Sequence, residues 1–346
     1  MDFAEHILQW YRRHGRELPW RATRDPYRIW LSEVILQQTR IAQGMDYWLR
    51  FVERWPTVHD LARASEDEVL RQWQGLGYYS RARNLHLAAQ QVDALGQFPG
   101  TLEALRELKG VGDYTAAAIA SMAFGIDAAV VDGNVYRVLA RHYGIDTAIN
   151  TTQGKRLFTE LAQSLLPKGH AAEFNQGMMD FGATQCTPQS PHCDICPLAI
   201  TCDALHIHRV DQLPVKQKKT EVKTRRLQYV YIRCQGQTAI HRRAAGDIWQ
   251  GLWEPLLCED KPLAQFAGKI TLLRQGVKHV LTHRILLADF WLLETDQRPP
   301  LPPDYIWVNE ADLDHYALPR LIEKLLESLT PTPLQGERGS WRVESY

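Results

Sequence analysis

The 346-residue sequence has no excess of either charge: 40 lysines and arginines balance 40 aspartates and glutamates. Whole-molecule electrostatics therefore give no support for a polyanionic partner. No apolar run approaches the roughly 20 residues of a membrane-spanning helix, and no membrane partner is expected. The stretch Met1 to Gly15 lacks the continuous apolar core and cleavage site of a secretory signal, which points to a cytoplasmic protein. No internal repeat is present, so solenoid and propeller architectures are excluded. Cysteine is scarce, at six residues. A disulfide framework is disfavoured, because a chain this long buries a core without staples and cytosolic thiols stay reduced.

What is present suffices for a packed protein. Apolar residues make up 45% of the chain, and the length suggests two domains. Four of the six cysteines, Cys186, Cys193, Cys196 and Cys202, follow the spacing C-x6-C-x2-C-x5-C among Pro188, Pro191 and Pro197. Four soft thiolates on one irregular loop suit a zinc ion or an iron–sulfur cluster. Zinc ribbons typically use paired C-x2-C knuckles, so the intervals favour iron–sulfur. Cys234 and Cys258 lie far downstream and are expected to be ordinary buried thiols.

Residues 1–205 read as helical almost throughout. Apolar positions from Tyr27 to Val52 follow helical spacing, and similar patterns cover Glu66 to Trp73, Ala82 to Leu95, Leu102 to Leu108, Thr115 to Phe124, Asn134 to Tyr143 and Gly154 to Leu166. Residues 206–224 form a basic linker. Arg209, Lys216, Lys218, Lys219 and Lys223, with Arg225 and Arg226 beyond it, are opposed only by Asp211 and Glu221. A solvated connection and a DNA contact are both open there. Residues 225–330 change texture: Leu227 to Cys234, Thr238 to Arg243 and His279 to Glu294 carry the Val, Ile, Tyr and Trp of strands, and Ala317 to Leu329 reads as one helix. Residues 331–346 are polar, with Pro and Gly, and are expected to be disordered.

Three places carry chemistry. In Lys109-Gly110-Val111-Gly112-Asp113-Tyr114 one helix ends at a glycine turn and another starts at once. Glycines permit the tight turn, and the new helix's exposed N–H groups and positive end suit a phosphate. A plain helix–helix connection is the competing reading. Asp132 precedes a helix, where aspartate is an ordinary N-cap. Glu33, with Trp30, Leu36 and Gln37 as helical neighbours, would sit between apolar groups, and burial raises a carboxyl pKa toward that of a general acid. Periodicity alone leaves a solvent-edge charge open for Glu33.

These segments resemble those of a known family. Leu18-Pro19-Trp20-Arg21, Trp30 to Thr39, Gly75-Leu76-Gly77-Tyr78-Tyr79, the glycine hairpin, Val131-Asp132-Gly133-Asn134-Val135 and the cysteine loop are similar, in order, to MutY-type adenine DNA glycosylases of the helix-hairpin-helix superfamily. The likeness is dense over residues 1–205 and weaker beyond. It implies a mainly α catalytic region followed by an α+β, Nudix-like lesion-recognition domain. It further implies a four-iron–four-sulfur cluster on the four cysteines, with the hairpin, Gly110 and Gly112, binding DNA. The substrate would be adenine mispaired with 8-oxoguanine or guanine in double-stranded DNA, flipped out before its N-glycosidic bond is cut. By the same likeness Glu33 matches the general acid, Asp132 the carboxylate beside the cationic sugar, and Asn134 and Tyr114 their supports. Trp20, Arg21 and Leu36 match the adenine pocket, and Gln38 and Tyr78 the wedges in the base stack.

Endonuclease III-type enzymes of the same superfamily cut the backbone through a lysine that would stand two residues after the second hairpin glycine. Tyr114 occupies that position here, which implies a monofunctional glycosylase. In the second domain, Val280-Leu281-Thr282-His283 departs from the family's Phe-Ser-His by replacing the aromatic, leaving Thr282 and His283 to face the lesion. No glutamate-rich, magnesium-holding run lies between Gly251 and Gly276, so the domain is expected to read DNA rather than hydrolyse nucleotides. A non-catalytic damage-binding module is the alternative from another class, and Glu33 and Asp132 argue against it. A monomer acting on the bacterial nucleoid is the expected state.

Overall fold

A computed structural model describes residues 2–217, 223–258, 266–281 and 284–329. The chain divides into two compact units, one of residues 1–72 and 81–219, the other of residues 73–80 and 220–346.

The first unit is helical: α1 (Phe3–His14), α2 (Pro26–Leu36), α3 (Ile41–Arg54), α4 (Val58–Arg63), α5 (Glu66–Gln72), α6 (Ser80–Leu95), α7 (Leu102–Arg106), α8 (Asp113–Phe124), α9 (Gly133–His142), α10 (Thr152–Leu165), α11 (Ala171–Asp180) and α12 (Asp203–His206). Helix α2 begins with Asp25 capping the Tyr27 N–H at 2.9 Å and with Pro26 in the first turn, where its missing N–H costs nothing. It has almost no solvent face, since Tyr27 and every residue from Ile29 to Ile35 are buried. Helix α8 is likewise buried from Thr115 to Ser121, and its run of alanines lets α2 pack close against it. A separate core joins Phe3, Ile7 and Leu8 of α1 to Val138 and Leu139 of α9, Phe158 of α10, and Phe174 and Met178 of α11.

The apolar periodicity from Tyr27 to Val52 predicts one helix, but the structure contains two. The chain breaks between Leu36 and Ile41, where Gln38 takes a left-handed φ of 57°. Helix α11 ends in a π-helical turn over Phe181–Gln185. Such turns displace the following backbone by one residue and often mark functional positions. Gly182 in that turn lies so close to Asn134 that a Cβ would come within 2.5 Å of the asparagine's own.

The second unit holds β1 (Lys223–Arg233), β2 (Gln237–Arg242), β3 (Trp253–Glu254), β4 (Leu256–Leu257), β5 (Lys269–Val280), β6 (Arg284–Glu294), β7 (Tyr305–Asn309) and the helix α13 (Arg320–Glu327). One sheet runs β4-β1-β6-β5, with β1 and β6 parallel, and the other runs β3-β2-β7. Leu321, Ile322 and Leu325 of α13 share a core with Tyr229, Tyr231, Phe290 and Leu292. Buried Glu254 receives hydrogen bonds from Tyr229 (2.8 Å), Arg243 (2.5 Å) and His241 (3.1 Å), a satisfied network.

The helix expected over Ala317 to Leu329 starts only at Arg320, because Pro319 disfavours a helical backbone at Leu318 before it. The strand texture from His279 to Glu294 belongs to two paired strands, β5 and β6. Thr282, His283, the linker residues Lys218 and Lys219, and the tail 331–346 lie outside the described residues. Cys234 and Cys258 are buried, as expected, and no disulfide joins any of the six cysteines. Among the described residues no helix is long and apolar enough to cross a membrane.

Candidate active site

Glu33 is largely withdrawn from solvent, because the helix that carries it is buried over most of its surface. It is 8% exposed. Its Oε2 accepts from the Tyr114 hydroxyl of α8 at 2.7 Å, and the Met179 sulfur lies 3.6 Å from the same hydroxyl. Burial, reinforced by the Asp132 charge and opposed by Tyr114 and Arg21, pushes the Glu33 carboxyl up to about 7. The sequence left burial and solvent edge open, and the structure buries it.

Asp132 is the N-cap of α9. One carboxylate oxygen accepts from the Asn134 and Val135 N–H groups, both at 2.8 Å, and the other from the Asn134 amide at 2.7 Å. Burial raises this carboxyl above its ordinary value too, and those three donors and Arg137 offset only part of the rise. The two acids thus differ in kind. Glu33 has one hydroxyl donor and is the group that holds a proton near neutrality, whereas Asp132 is solvated by amides and suited to remain charged.

Both open into one cavity of about 1050 Å³. Trp20, Arg21, Leu36, Gln38, Gly110, Gly112, Tyr114 and Asn134 also line it, so the fold gathers most residues singled out in the sequence. Tyr78 belongs to the other unit. It is 48% exposed and, like Gln38, holds a left-handed backbone at φ 48°. Non-glycine residues in that region cost energy and mark sites where the surroundings impose them. At the hairpin, Gly110 has φ 76° and Gly112 caps α8 without any side-chain hydrogen bond, leaving the first N–H groups of that helix free for an anion.

A second cavity is lined by Cys186, Cys193, Cys196 and Cys202 together with Arg141. Burial raises the thiols of Cys193, Cys196 and Cys202, that of Cys196 to about 11, and the neighbouring cysteines add to the rise. Arg141 donates to the Cys186 sulfur at 3.4 Å and to the Thr187 and Pro188 carbonyls at 2.7 and 3.1 Å. One turn earlier Arg137 donates to the Cys186 carbonyl at 2.7 Å and the Asn134 side chain at 2.9 Å. Helix α9 therefore carries the capping aspartate at its start and holds the cysteine loop along its side. Among the described residues no group of three or more His, Cys, Asp or Glu side chains is arranged to hold a metal ion.

Residues 31–164 match the family model of the HhH-GPD superfamily base excision DNA repair protein, and residues 228–328 match the NUDIX domain. The adenine DNA glycosylase of Buchnera aphidicola subsp. Acyrthosiphon pisum is 30% identical over 347 residues, covering 94% of this chain and 97% of that protein. The chain belongs to the adenine DNA glycosylase family. It is an enzyme of base excision repair that hydrolyses N-glycosyl bonds. The human adenine DNA glycosylase is 44% identical over 221 residues, 61% of this chain and 40% of its own. Among solved structures, a thermostable thymine-DNA glycosylase is 33% identical with a TM-score of 0.55, over 59% of this chain and 95% of its own. An endonuclease III from a trapped DNA complex superposes with a TM-score of 0.52 at 25% identity, over 59% and 94% respectively.

Several residues of this family member's site carry no signal in the sequence. Arg16, Gln37, Thr115 and Met179 line the cavity, and Asp180 lies behind it. Arg137 and Arg141 were closer to legible. Two arginines four apart on a helix that is otherwise apolar at those positions signal buried cations with fixed partners.

Proposed function

We propose that this adenine DNA glycosylase removes adenine mispaired with 8-oxoguanine or guanine from double-stranded DNA, acting as a monofunctional monomer. The observation that carries this reading is the placement of two unlike carboxyls in one cavity: a buried Glu33 that keeps its proton near neutral pH and an amide-solvated Asp132. In the proposed reaction the flipped adenine lies between Trp20 and Leu36. Glu33 donates its proton to N7, the C1′–N9 bond breaks, and its electron pair passes into the purine. Asp132 stabilises the cationic sugar from the opposite sign of charge, as carboxylates do in glycoside hydrolysis. Water adds to C1′ and gives up a proton, and an abasic site remains. General acid catalysis of this kind contributes about 10²–10⁴ in rate.

Among the described residues no lysine lines the cavity, which supports hydrolysis over imine formation. Arg21 shares the cavity, and Asn134 orients Asp132. Gln38 and Tyr78 wedge into the stack from strained backbones, and the hairpin at Gly110 and Gly112 grips a phosphate. Thr282 and His283 read the lesion strand in a domain that inspects DNA.

The four cysteines are not gathered round one metal position, but as four thiols lining a common cavity they suit in donor chemistry a four-iron–four-sulfur cluster, which we propose they hold. They face one cavity, their charged forms repel each other without a cation, and Arg141 offsets negative charge at Cys186. When bound, the cluster would supply metal–thiolate bonds that close the loop.

Single-turnover assays on A:8-oxoguanine, A:G and oxidised-pyrimidine duplexes test the reading. Adenine release with strand breaks only after alkali is expected. Backbone cutting without alkali, or a borohydride-trapped covalent complex with abasic DNA, would overturn it.

A further inference from the structure

Behind the cavity wall, Asp180 at the end of α11 has a fully buried side chain and takes two arginines at once. Arg21 Nη1 donates to its Oδ2 at 2.7 Å and Nη2 to its Oδ1 at 2.8 Å, a bidentate fork, while Nη1 also donates to the Arg16 carbonyl at 3.0 Å. The Arg16 N–H and Nε donate to the same carboxylate at 2.8 and 2.9 Å, and its Nη2 makes a further contact. Burial would lift this carboxyl, but the two guanidiniums outweigh it and hold it below the usual range. The fork matters because Arg21 also lines the cavity of Glu33 and is close enough to attract its charge. A guanidinium free to turn would prefer the nearest carboxylate, and direct pairing with Arg favours the ionised form of an acid. An ionised Glu33 has no proton to donate.

We propose that Asp180 is a positioning residue: by clamping both terminal nitrogens of Arg21, it withholds that guanidinium from Glu33. Arg21 then serves as a fixed cavity wall, and Glu33 keeps the Tyr114 hydroxyl as its donor. The groups facing Glu33 are Tyr114 from α8, Asp132 at the start of α9, and Arg21. Those facing Arg21 are Asp180, Glu33 and the Tyr11 ring at 5.8 Å. Arg16, Arg40 and Asp113 also border the cavity. The π-turn that follows Asp180 fixes its backbone, with Thr184 Oγ1 donating to the Asp180 carbonyl at 2.9 Å.

The inference rests on the reading of Glu33 as the general acid, and the test separates the two. Single-turnover excision from an A:8-oxoguanine duplex is measured from pH 5 to 9 for the full chain and for Asp180→Asn, which keeps an acceptor of the same shape without the charge. The alkaline limb of Asp180→Asn should move down by about one to three pH units, so that the rate deficit at pH 8 shrinks by about eightfold or more by pH 5. Asp180→Glu should restore the original limb. Arg21→Gln in the Asp180→Asn background should abolish the downward move, because the guanidinium that causes it is gone. A uniformly lowered rate with an unmoved limb, or a limb still displaced in the double variant, overturns the proposal. Should Asp180→Asn fail to fold, Arg21→Gln alone decides. A clamped arginine predicts an upward move of under about half a pH unit, and a larger one means that Arg21 already pairs with Glu33. If the unaltered protein shows no alkaline limb, or Glu33→Gln retains it, the reading of Glu33 fails instead.

Discussion

The Tyr114 hydroxyl and the Glu33 carboxylate, 81 positions apart in sequence, share a 2.7 Å hydrogen bond in the wall of the cavity. The bond favours the charged form of Glu33, against the burial that favours the neutral one. Tyr114→Phe should therefore move the alkaline limb of excision to higher pH, above about 7, while lowering the plateau rate through loss of alignment. A pH series under single-turnover conditions checks the direction, and a downward move would contradict the arrangement.

Glu33→Gln should reduce excision by about 10²–10⁴ while mismatch binding persists. The same change should stabilise the protein. The folded carboxyl titrates at about 7 against an ordinary 4.5, so folding disfavours the ion. The penalty is absent below pH 4.5, grows as pH rises from there to 7, and is constant above. At about 1.4 kcal/mol per pH unit it reaches roughly 3 kcal/mol. Urea unfolding at pH 8 and pH 4 should show the gain only at the higher pH.

The two hairpin glycines should respond differently to alanine. Gly110 has φ 76° and would bring a Cβ within 2.7 Å of Asn84 Cβ, whereas Gly112 has an ordinary φ of −92° and open space. Gly110→Ala should cost about 1–2 kcal/mol from the left-handed backbone alone and weaken DNA affinity. Gly112→Ala should leave the melting temperature nearly unchanged. Thermal melts of both variants decide.

Arg141 is buried and feeds three carbonyls, those of Thr187, Pro188 and Leu213, besides the Cys186 sulfur. Arg141→Met should cost about 3 kcal/mol or more by leaving those acceptors unpaired. It should also lower the iron content of purified protein, measured by elemental analysis.

The legible parts of this molecule are those whose signal is local. Capping at Asp132 and the glycine turn each lie within a few residues of chain, and a helix starts at both places as expected. The break after Leu36 was not legible, because neither Pro nor Gly marks it and the apolar period continues across Gln38. Strand β5 was invisible before His279, since as an edge strand with an exposed burial pattern it lacks apolar alternation. Asp180 escaped for another reason. Its meaning comes from Arg21, 159 positions away, and an isolated Met-Met-Asp-Phe says nothing of that fork.

The cap on α9 has a consequence for how this protein can change over time. The oxygens that would steady a sugar cation also satisfy the first amides of a helix, and losing such a cap typically costs 0.5–2 kcal/mol. Inheritance would not separate the two duties by most substitutions at this codon, since an alanine there would lose both the proposed charge and the cap. Asparagine and glycine, each one base change from an aspartate codon and each a tolerated N-cap, offer routes to a sturdy but silent protein that surrenders the charge. On the proposed role of Asp132, codon 132 would be guarded mainly by selection on repair and only in part by selection on folding.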